Sequence, residues 1–331
     1  MGLFVPHSAP IKAIVFCLLL ATGLGSPGCE TAPPAIPGSN TVGGATDQNA
    51  GQQTSGTPTA SVSVSILEQL SLERINRARL RPAAEAQSSG IALDEGVPGQ
   101  IDATPKQPLA MNAALVQSAR SHSQDMIARD YFAHNSPEGV TPFTRMDDAG
   151  YLFVSASENL AWRGSTGSID EVQVVEQEHT DLFVDEDIDG RGHRVTMLSG
   201  VFREVGVGIV RGIFTKDGQN FDSIMQTQDY GTPQGSPTFV LGVVYNDSNS
   251  NGRYDAGEGA NGSVVTLDAV SKTTNSAGGY SFVVGQAGTY TLRFSANRSQ
   301  ELDINAGSPN IKVDFVGGSQ IVVNLGLGPL N

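Results

Sequence analysis

Apolar residues recur at helical spacing in the first folded part of the chain. Leu67, Leu70 and Ile75 fall on one side of a helix that has to end before Pro82. After Asn112, apolar side chains return at steps of three and four residues, which is typical of an amphipathic helix. Asn112 is a suitable N-cap for it, because its side chain can accept from the first free backbone amides.

Two shorter helices follow from their start and stop residues. Thr141 as N-cap, Pro142 in the first helical position and Gly150 as a stop predict a short helix. Ser168 and Glu171 have the spacing of a capping box, which predicts the start of a fourth helix.

Period-two patterns then predict strands at 203–213 and at 222–231. Helices flanking antiparallel strands give an α+β layered domain, which we place at 63–232. Beyond it, short β-rich runs separated by Asn, Gly and Ser are typical of a small all-β sandwich, at 233–331. The predicted fold class is therefore α+β, with the all-β sandwich as a second domain.

Residues 1–29 have the pattern of an export signal. Lys12 precedes an apolar run at 13–25 that is too short to span a bilayer. Cys29, after a small glycine, resembles the lipobox cysteine that is acylated in bacterial lipoproteins, so the protein is expected to be either secreted or a cell-envelope lipoprotein. The stretch 30–62 has no apolar period or charge pattern, which predicts a disordered tether.

Net charge limits the classes of binding partner, and cysteine content limits disulfide formation. The net charge of -14 opposes binding to nucleic acid or to an anionic membrane, so membrane contact would be limited to a lipid on Cys29. The other cysteine, Cys17, lies in the predicted signal, so the mature chain has no pair for an intramolecular disulfide. We expect a monomer whose partner is an extracellular ligand or a cell-surface component.

An EF-hand-like spacing of oxygen ligands begins at Asp247. A polar hairpin turn is the alternative, but a turn does not require an acid at the twelfth place. The spacing predicts calcium binding, with an affinity of about 10⁻⁴ to 10⁻³ M as in extracellular modules. Arg253 would contribute its backbone carbonyl, and Gly252 would permit the turn. The predicted ligands are Asp247, Asn249, Asn251, Arg253, Asp255 and Glu258.

The surroundings of this loop resemble the B-type repeat modules of bacterial collagen adhesins. The resemblance covers most of 240–295 and implies a spacer rather than a catalytic domain. A second acidic stretch, Asp185, Asp187 and Asp189, matches only the first half of a calcium loop, because Thr196 stands where the last acid belongs. We expect an acidic surface loop there.

All histidines outside the predicted signal lie between positions 122 and 193. His122 lies on the apolar stripe of its helix and is interpreted as a core residue. His134 lies in a turn, and His193 follows two glycines at the start of an element, so both can reach a cleft.

Short motifs around these histidines occur in a recognisable order. They are "ERINRARLRP", "HSQDM", "FAHNSPEGVTPFTRM", "SENLAW", "GRGHRVTML", "FREVGVGI" and "QTQDYG". Together they resemble the CAP superfamily (cysteine-rich secretory proteins, antigen 5 and pathogenesis-related 1 proteins) in its bacterial form, over Ile66 to Gly231. The resemblance implies an α-β-α sandwich with a cleft of two histidines and two acids. By motif the two histidines are His134 and His193, and the first of the two acids is Glu158.

The second cleft acid normally stands three residues after a tryptophan. Val175 occupies that place here, so the spacing nominates Glu178, while Glu176 and His179 remain alternatives. Two imidazoles and two carboxylates can hold zinc or another divalent metal, act as general acid and base, or only brace the fold. Function is therefore open between ligand or surface binding, a metal-assisted hydrolase of peptide or cell-wall substrates, and a structural surface protein. No catalytic residue is established.

Overall fold

The computed structural model describes residues 11–13, 64–317 and 321–324. The predicted tether, Cys29 and all of the predicted signal except 11–13 lie outside these residues. Within the described ranges, no helix is both long and apolar enough to cross a membrane.

Helices dominate the first part of the described chain and strands the second. The helices are α1 Ile66–Leu80, α2 Pro82–Ser88, α3 Ala113–Ala128, α4 Pro142–Asp148, α5 Glu171–Val184 and α6 Gly192–Met197, with a 3₁₀ turn at Asp189–Arg191. The strands are β1 Ile11–Ala13, β2 Ala110–Met111, β3 Phe153–Ser165, β4 Glu204–Lys216, β5 Gln219–Pro233, β6 Thr238–Tyr245, β7 Val264–Leu267, β8 Val270–Thr273, β9 Gly279–Val284, β10 Gly288–Phe294, β11 Ser299–Ile304, β12 Ile311–Val316 and β13 Ile321–Asn324.

A five-stranded sheet in the order β1-β3-β5-β4-β2 forms the centre of the first domain. The long strands β3, β5 and β4 are antiparallel neighbours, while β2 joins β4 in parallel. Strand β1, within the predicted signal, pairs with β3 at 162–164, so removal of the signal would expose this edge of β3.

Helices cover both faces of this sheet. On one face α3 packs so closely on β4 that a Cβ at Gly206 would stand 2.0 Å from the backbone carbon of Leu115, which explains why glycine is needed there. On the other face Ala161 of β3 packs with Leu182 and Phe183 of α5 in the main core. The α-β-α sandwich implied by the CAP resemblance is therefore confirmed.

Most helix ends follow their local sequence signals. Asn112 accepts from two backbone amides of α3, and Thr141 accepts from the amide of Thr144 in α4, as predicted. The predicted capping box of α5 is wrong: its N-cap is Asp170, which accepts from the Gln173 amide. Asp170 is itself a good capping residue, so it displaced the serine two positions earlier.

The second domain is a sandwich of two four-stranded sheets, ordered β11-β10-β7-β8 and β13-β12-β6-β9. Side chains from both sheets share one core, which includes Leu267 and Leu292 from the first and Phe282 and Phe315 from the second. The predicted all-β sandwich is confirmed, and its last strands are β12 and β13.

Buried ion pairs connect the two domains. Lys312 of β12 lies 2.9 Å from Glu73 of α1 and 2.5 Å from Asp314, and all three side chains are almost fully buried. Arg74, also on α1, donates to Glu176 of α5, to the Tyr254 carbonyl and to Asp255. Helix α1 is thus fixed to both domains.

Candidate functional site

The candidate site is anchored on two adjacent residues of β3, Glu158 and Asn159. Both are buried, and consecutive side chains of a strand leave on opposite faces of the sheet. Glu158 pairs across the sheet with Asp229 of β5, whereas the Asn159 amide donates to the His193 carbonyl at 3.2 Å. Each face of the sheet therefore carries one of the two motif histidines.

His134 forms the first acid–histidine pair. Its Nδ1 lies 2.7 Å from Glu158 Oε1, and Arg145 of α4 donates to the other carboxylate oxygen at 2.6 Å. Arg145 also donates to the His134 carbonyl at 2.9 Å, so it holds both members of the pair. The His134 ring is buried, and its Nε2 has no hydrogen-bond partner among the described residues.

The charge on Glu158 is stabilised by these neighbours. Burial raises the pKa of Glu158. The hydrogen bond from His134 and the charges of His122 and Arg145 lower it by a larger amount, so the net pKa is below its ordinary value. Glu158 is therefore ionised at neutral pH. A carboxylate that accepts from Nδ1 fixes the histidine tautomer and leaves Nε2 as the available ring nitrogen.

Asp229 is a site residue that the sequence analysis missed. It is fully buried opposite Glu158. Burial and the nearby Glu158 charge raise the pKa of Asp229 well above its ordinary value, which favours its protonated form. Two adjacent carboxyl groups with opposite pKa shifts can share or transfer a proton. The sequence signal that could have identified Asp229 is the presence of an acid near the centre of a predicted buried strand.

His193 forms the second pair, with Asp185. Its Nδ1 lies 2.7 Å from Asp185 Oδ1, and its backbone amide donates to Oδ2 at 2.8 Å. Asp185 follows the last residue of α5 in the left-handed conformation, with φ of 55°, which turns its side chain toward the start of α6. Asp185 is fully buried, so the expected acidic surface loop is wrong at this residue, although Asp187 and Asp189 are exposed.

Arg194 stabilises the backbone next to this second pair. Its guanidinium is buried and donates to the carbonyls of Phe183, Val184 and Leu93 at 2.7–2.8 Å. It thus fixes the end of α5, from which Asp185 projects. The arginine of the "GHR" motif is a positioning residue.

Glu178, the acid nominated by spacing, is placed elsewhere. It is fully buried between α5 and β5, where Gln226 donates to it at 2.9 Å. Burial and the charge of Asp181 raise its pKa well above its ordinary value. The alternatives are also occupied: Glu176 binds Arg74, and His179 Nε2 lies 2.8 Å from Glu85. The acid that contacts His193 is Asp185.

His122 is a core histidine, as expected from its apolar stripe. It is buried, and its Nε2 lies 3.0 Å from the Ala133 carbonyl. Burial lowers its pKa to about 4, so it is neutral over most of the physiological range.

The loop at 247–258 has the internal bonding of a calcium loop. Asp247 accepts from the amides of Asn251 and Gly252 at 2.9–3.0 Å, and Gly252 has a positive φ of 76°. The side-chain amides of Asn249 and Asn251 both reach Asp255 Oδ2. These side chains therefore lie together in one loop with their amide nitrogens directed at the carboxylate, and a hard cation would require the amides to turn their oxygens inward.

Glu258, at the twelfth place, braces the loop. Its Oε1 accepts from the Ser248 amide and hydroxyl at 2.9 Å, and its Oε2 accepts from the Asp255 amide at 3.0 Å. The donor chemistry fits calcium, although Glu258 would have to exchange these bonds to bind it. Among the described residues, this loop included, no group of three or more His, Cys, Asp or Glu side chains is arranged to hold a metal ion.

Comparison with known proteins agrees with this geometry. Residues 72–230 match the profile of CAP, described as the cysteine-rich secretory protein family. The matched range is just under half of the chain and contains both acid–histidine pairs. The likeness of the second domain to collagen-adhesin modules lies outside the matched range and stays a prediction.

Two individual proteins are similar to parts of the chain. Uncharacterized protein YkwD of Bacillus subtilis (strain 168) is 31% identical over 188 residues, which are 55% of this chain and 59% of that protein. The chain thus spans little more than half of that relative. The crystal structure of an extracellular protein containing a SCP domain from Bacillus anthracis is 24% identical, with a TM-score of 0.27, and the match covers 38% of this chain and 34% of that one.

Proposed function

We propose that this chain is an exported CAP-domain protein that binds an extracellular ligand or a cell-surface component beside His134 and His193. The observation that supports this most is the two buried acid–histidine contacts, His134 with Glu158 of β3 and His193 with Asp185 at the end of α5. Burying two such pairs is costly unless their geometry is used or fully compensated. The unpartnered Nε2 of His134 favours a ligand over a purely structural role.

Export is supported by the apolar run at 13–25 that follows Lys12. The protein would be released, or would remain attached to the envelope through a lipid on Cys29. In either form the binding domain would meet ligands outside the cell.

A hydrolase acting on peptide or cell-wall substrates is the second candidate. It is favoured by the register pairing of Glu158, whose pKa is lowered, with Asp229, whose pKa is raised, because such a pair can supply both a base and an acid. The proposed zinc or other divalent metal would need several donors at one place, and the described side chains present no group of three. We therefore derive no catalytic step through a metal.

The test is zinc titration of the full chain by calorimetry at pH 7.5, with His134→Gln and His193→Gln. Glutamine can keep a hydrogen bond to each carboxylate but is a poor zinc ligand. The two rings lie on opposite faces of the sheet, so each variant should lose only the zinc held at its own histidine. His179→Gln is the matched control, because His179 is also buried against an acid, Glu85, on α2. Equal uptake in all four proteins would reject a metal site at these histidines.

We also propose that the β-sandwich is a calcium-stabilised spacer. The loop gathers the carboxylates of Asp247 and Asp255 around the amides of Asn251, which supports a cation that would replace these amide donors. A spacer needs no cleft of its own, and the histidines outside the predicted signal all lie in the first domain.

A further inference from the structure

A cavity of about 140 Å³ lies between α1 and the loop at 247–258. Arg77 and Arg81 line it from the C-terminal end of α1, and Arg253 and Tyr254 line it from the loop. Tyr245 of β6 also contributes. The cavity is separate from both acid–histidine pairs, and it is basic although the protein carries a net charge of -14.

Several cations around this cavity are already neutralised by acids. Arg74 is paired with Glu176 and Asp255. Arg77 donates to Glu85 through two nitrogens, at 2.6 and 2.8 Å. These arginines therefore contribute little net attraction for a further anion.

Arg81 and Arg253 differ from them. Within the described ranges, the Arg81 guanidinium has no hydrogen bond or ion pair, and it stands just beyond the end of α1. Arg253 reaches only Asp255, at 3.5 Å, and 54% of its side chain is exposed. Two guanidinium groups from different domains thus line one cavity, and neither donates a hydrogen bond to an acid; the acids Glu73 and Asp314 in the same lining are paired with Lys312.

Tyr254 adds a buried polar group at the same place. The residue is only 3% exposed, and its hydroxyl has no hydrogen-bond partner among the described residues. Burial raises its pKa, so the hydroxyl keeps its proton and can donate. A buried donor without an acceptor is destabilising, and most such groups in native proteins are satisfied by a ligand or by water.

We propose that this cavity binds an oxyanion, the carboxylate or phosphate group of a small molecule, through Arg81, Arg253 and the Tyr254 hydroxyl. Guanidinium groups suit the planar or tetrahedral oxygens of such anions. The volume corresponds to roughly four or five water molecules at about 30 Å³ each, which is enough for one such group and not for a polymer. The ligand would bridge the two domains.

The test is calorimetric titration of the full chain with inorganic phosphate and, separately, with acetate, at constant calcium concentration. We expect saturable binding of one anion per chain. Tyr254→Phe should weaken it by about tenfold, since a hydrogen bond to a charged group is lost while the ring is kept. Arg81→Gln and Arg253→Gln should weaken it by a similar factor.

Arg211→Gln is the matched control, because Arg211 is an exposed arginine of β4 paired with Asp222 and Glu171. It should bind like the unmodified chain. Saturation with phosphate alone would assign a phosphate site, and saturation with acetate alone a carboxylate site. The proposal is overturned if neither anion saturates, or if Tyr254→Phe binds as tightly as Arg211→Gln. None of these results depends on zinc binding at His134 and His193.

Discussion

A single carboxylate, that of Asp185, holds His193 at two points. One oxygen lies 2.7 Å from the ring Nδ1, and the other accepts the backbone amide of the same residue at 2.8 Å. The contact fixes the ring orientation and the start of α6 together, so the site and the local fold depend on the same side chain.

Replacement of Asp185 by alanine should destabilise the protein strongly. It leaves the His193 ring and amide without acceptors in a buried position, which costs about 2–5 kcal/mol of unfolding free energy. Urea denaturation followed by circular dichroism measures this loss. Asp187→Ala is the control, because Asp187 is an exposed acid of the same loop. Equal denaturation midpoints for the two variants would contradict the assignment.

Glu178→Gln should change how stability depends on pH. The pKa of Glu178 is raised by burial above its ordinary value of 4.5, so the folded protein binds its proton more tightly than the unfolded chain does. Its contribution is therefore fully present below about pH 4.5 and is lost as the pH rises toward the folded pKa. Glutamine resembles the protonated acid and does not titrate. We expect equal melting temperatures near pH 4 and a more stable variant at pH 8.

Parallel pH curves for this variant and the unmodified chain would show that Glu178 ionises normally in the fold. Glu176→Gln supplies the comparison on the same helix. Its carboxylate is paired with Arg74, which holds the pKa of Glu176 below its ordinary value despite burial. That variant should lose stability at pH 8 rather than gain it.

Calcium should raise the melting temperature of the full chain relative to chelator. Binding to the folded state alone contributes about 2.7 kcal/mol at a hundred times Kd. Glu258→Gln should remove most of the calcium-dependent shift, since the twelfth-place carboxylate is the bidentate ligand of such loops. Glu301→Gln, an exposed acid of β11, should keep it. The calcium site is rejected if calcium leaves the melting curve of the unmodified chain unchanged.

Asp170→Ala should cost about 1 kcal/mol, the usual effect of removing an N-cap that accepts a backbone amide. Its oxygen lies 3.1 Å from the Gln173 amide at the start of α5. Ser168→Ala should have almost no effect, although the spacing alone made Ser168 the expected cap. Chemical denaturation of both variants distinguishes the two caps, and a larger loss for Ser168→Ala would favour the capping box.

Local signals explain what was predictable from the sequence. Asn112 and Thr141 cap their helices because a cap depends only on residues two or three positions away. The α5 cap failed because Ser168 and Asp170 are both competent, and only the chain path selects between them. Likewise, the CAP-like motifs identified His134 and Glu158, which the structure does bring together.

The missed residues depend on relationships that spacing does not contain. Asp229 faces Glu158 through the register of β3 with β5, and that register is fixed by the pairing of whole strands. Asp185 reaches His193 through a left-handed residue at the end of α5. Its position beside two further acids made it resemble half of a calcium loop instead.

The buried contact between Glu73 of α1 and Lys312 of β12 has a consequence for the whole molecule. Ions in solution screen buried charges much less than exposed ones. The ion-pair contact between the two domains should therefore persist at high salt concentration as well as in dilute buffer. A partner that binds the β-sandwich would then also fix the orientation of the first domain.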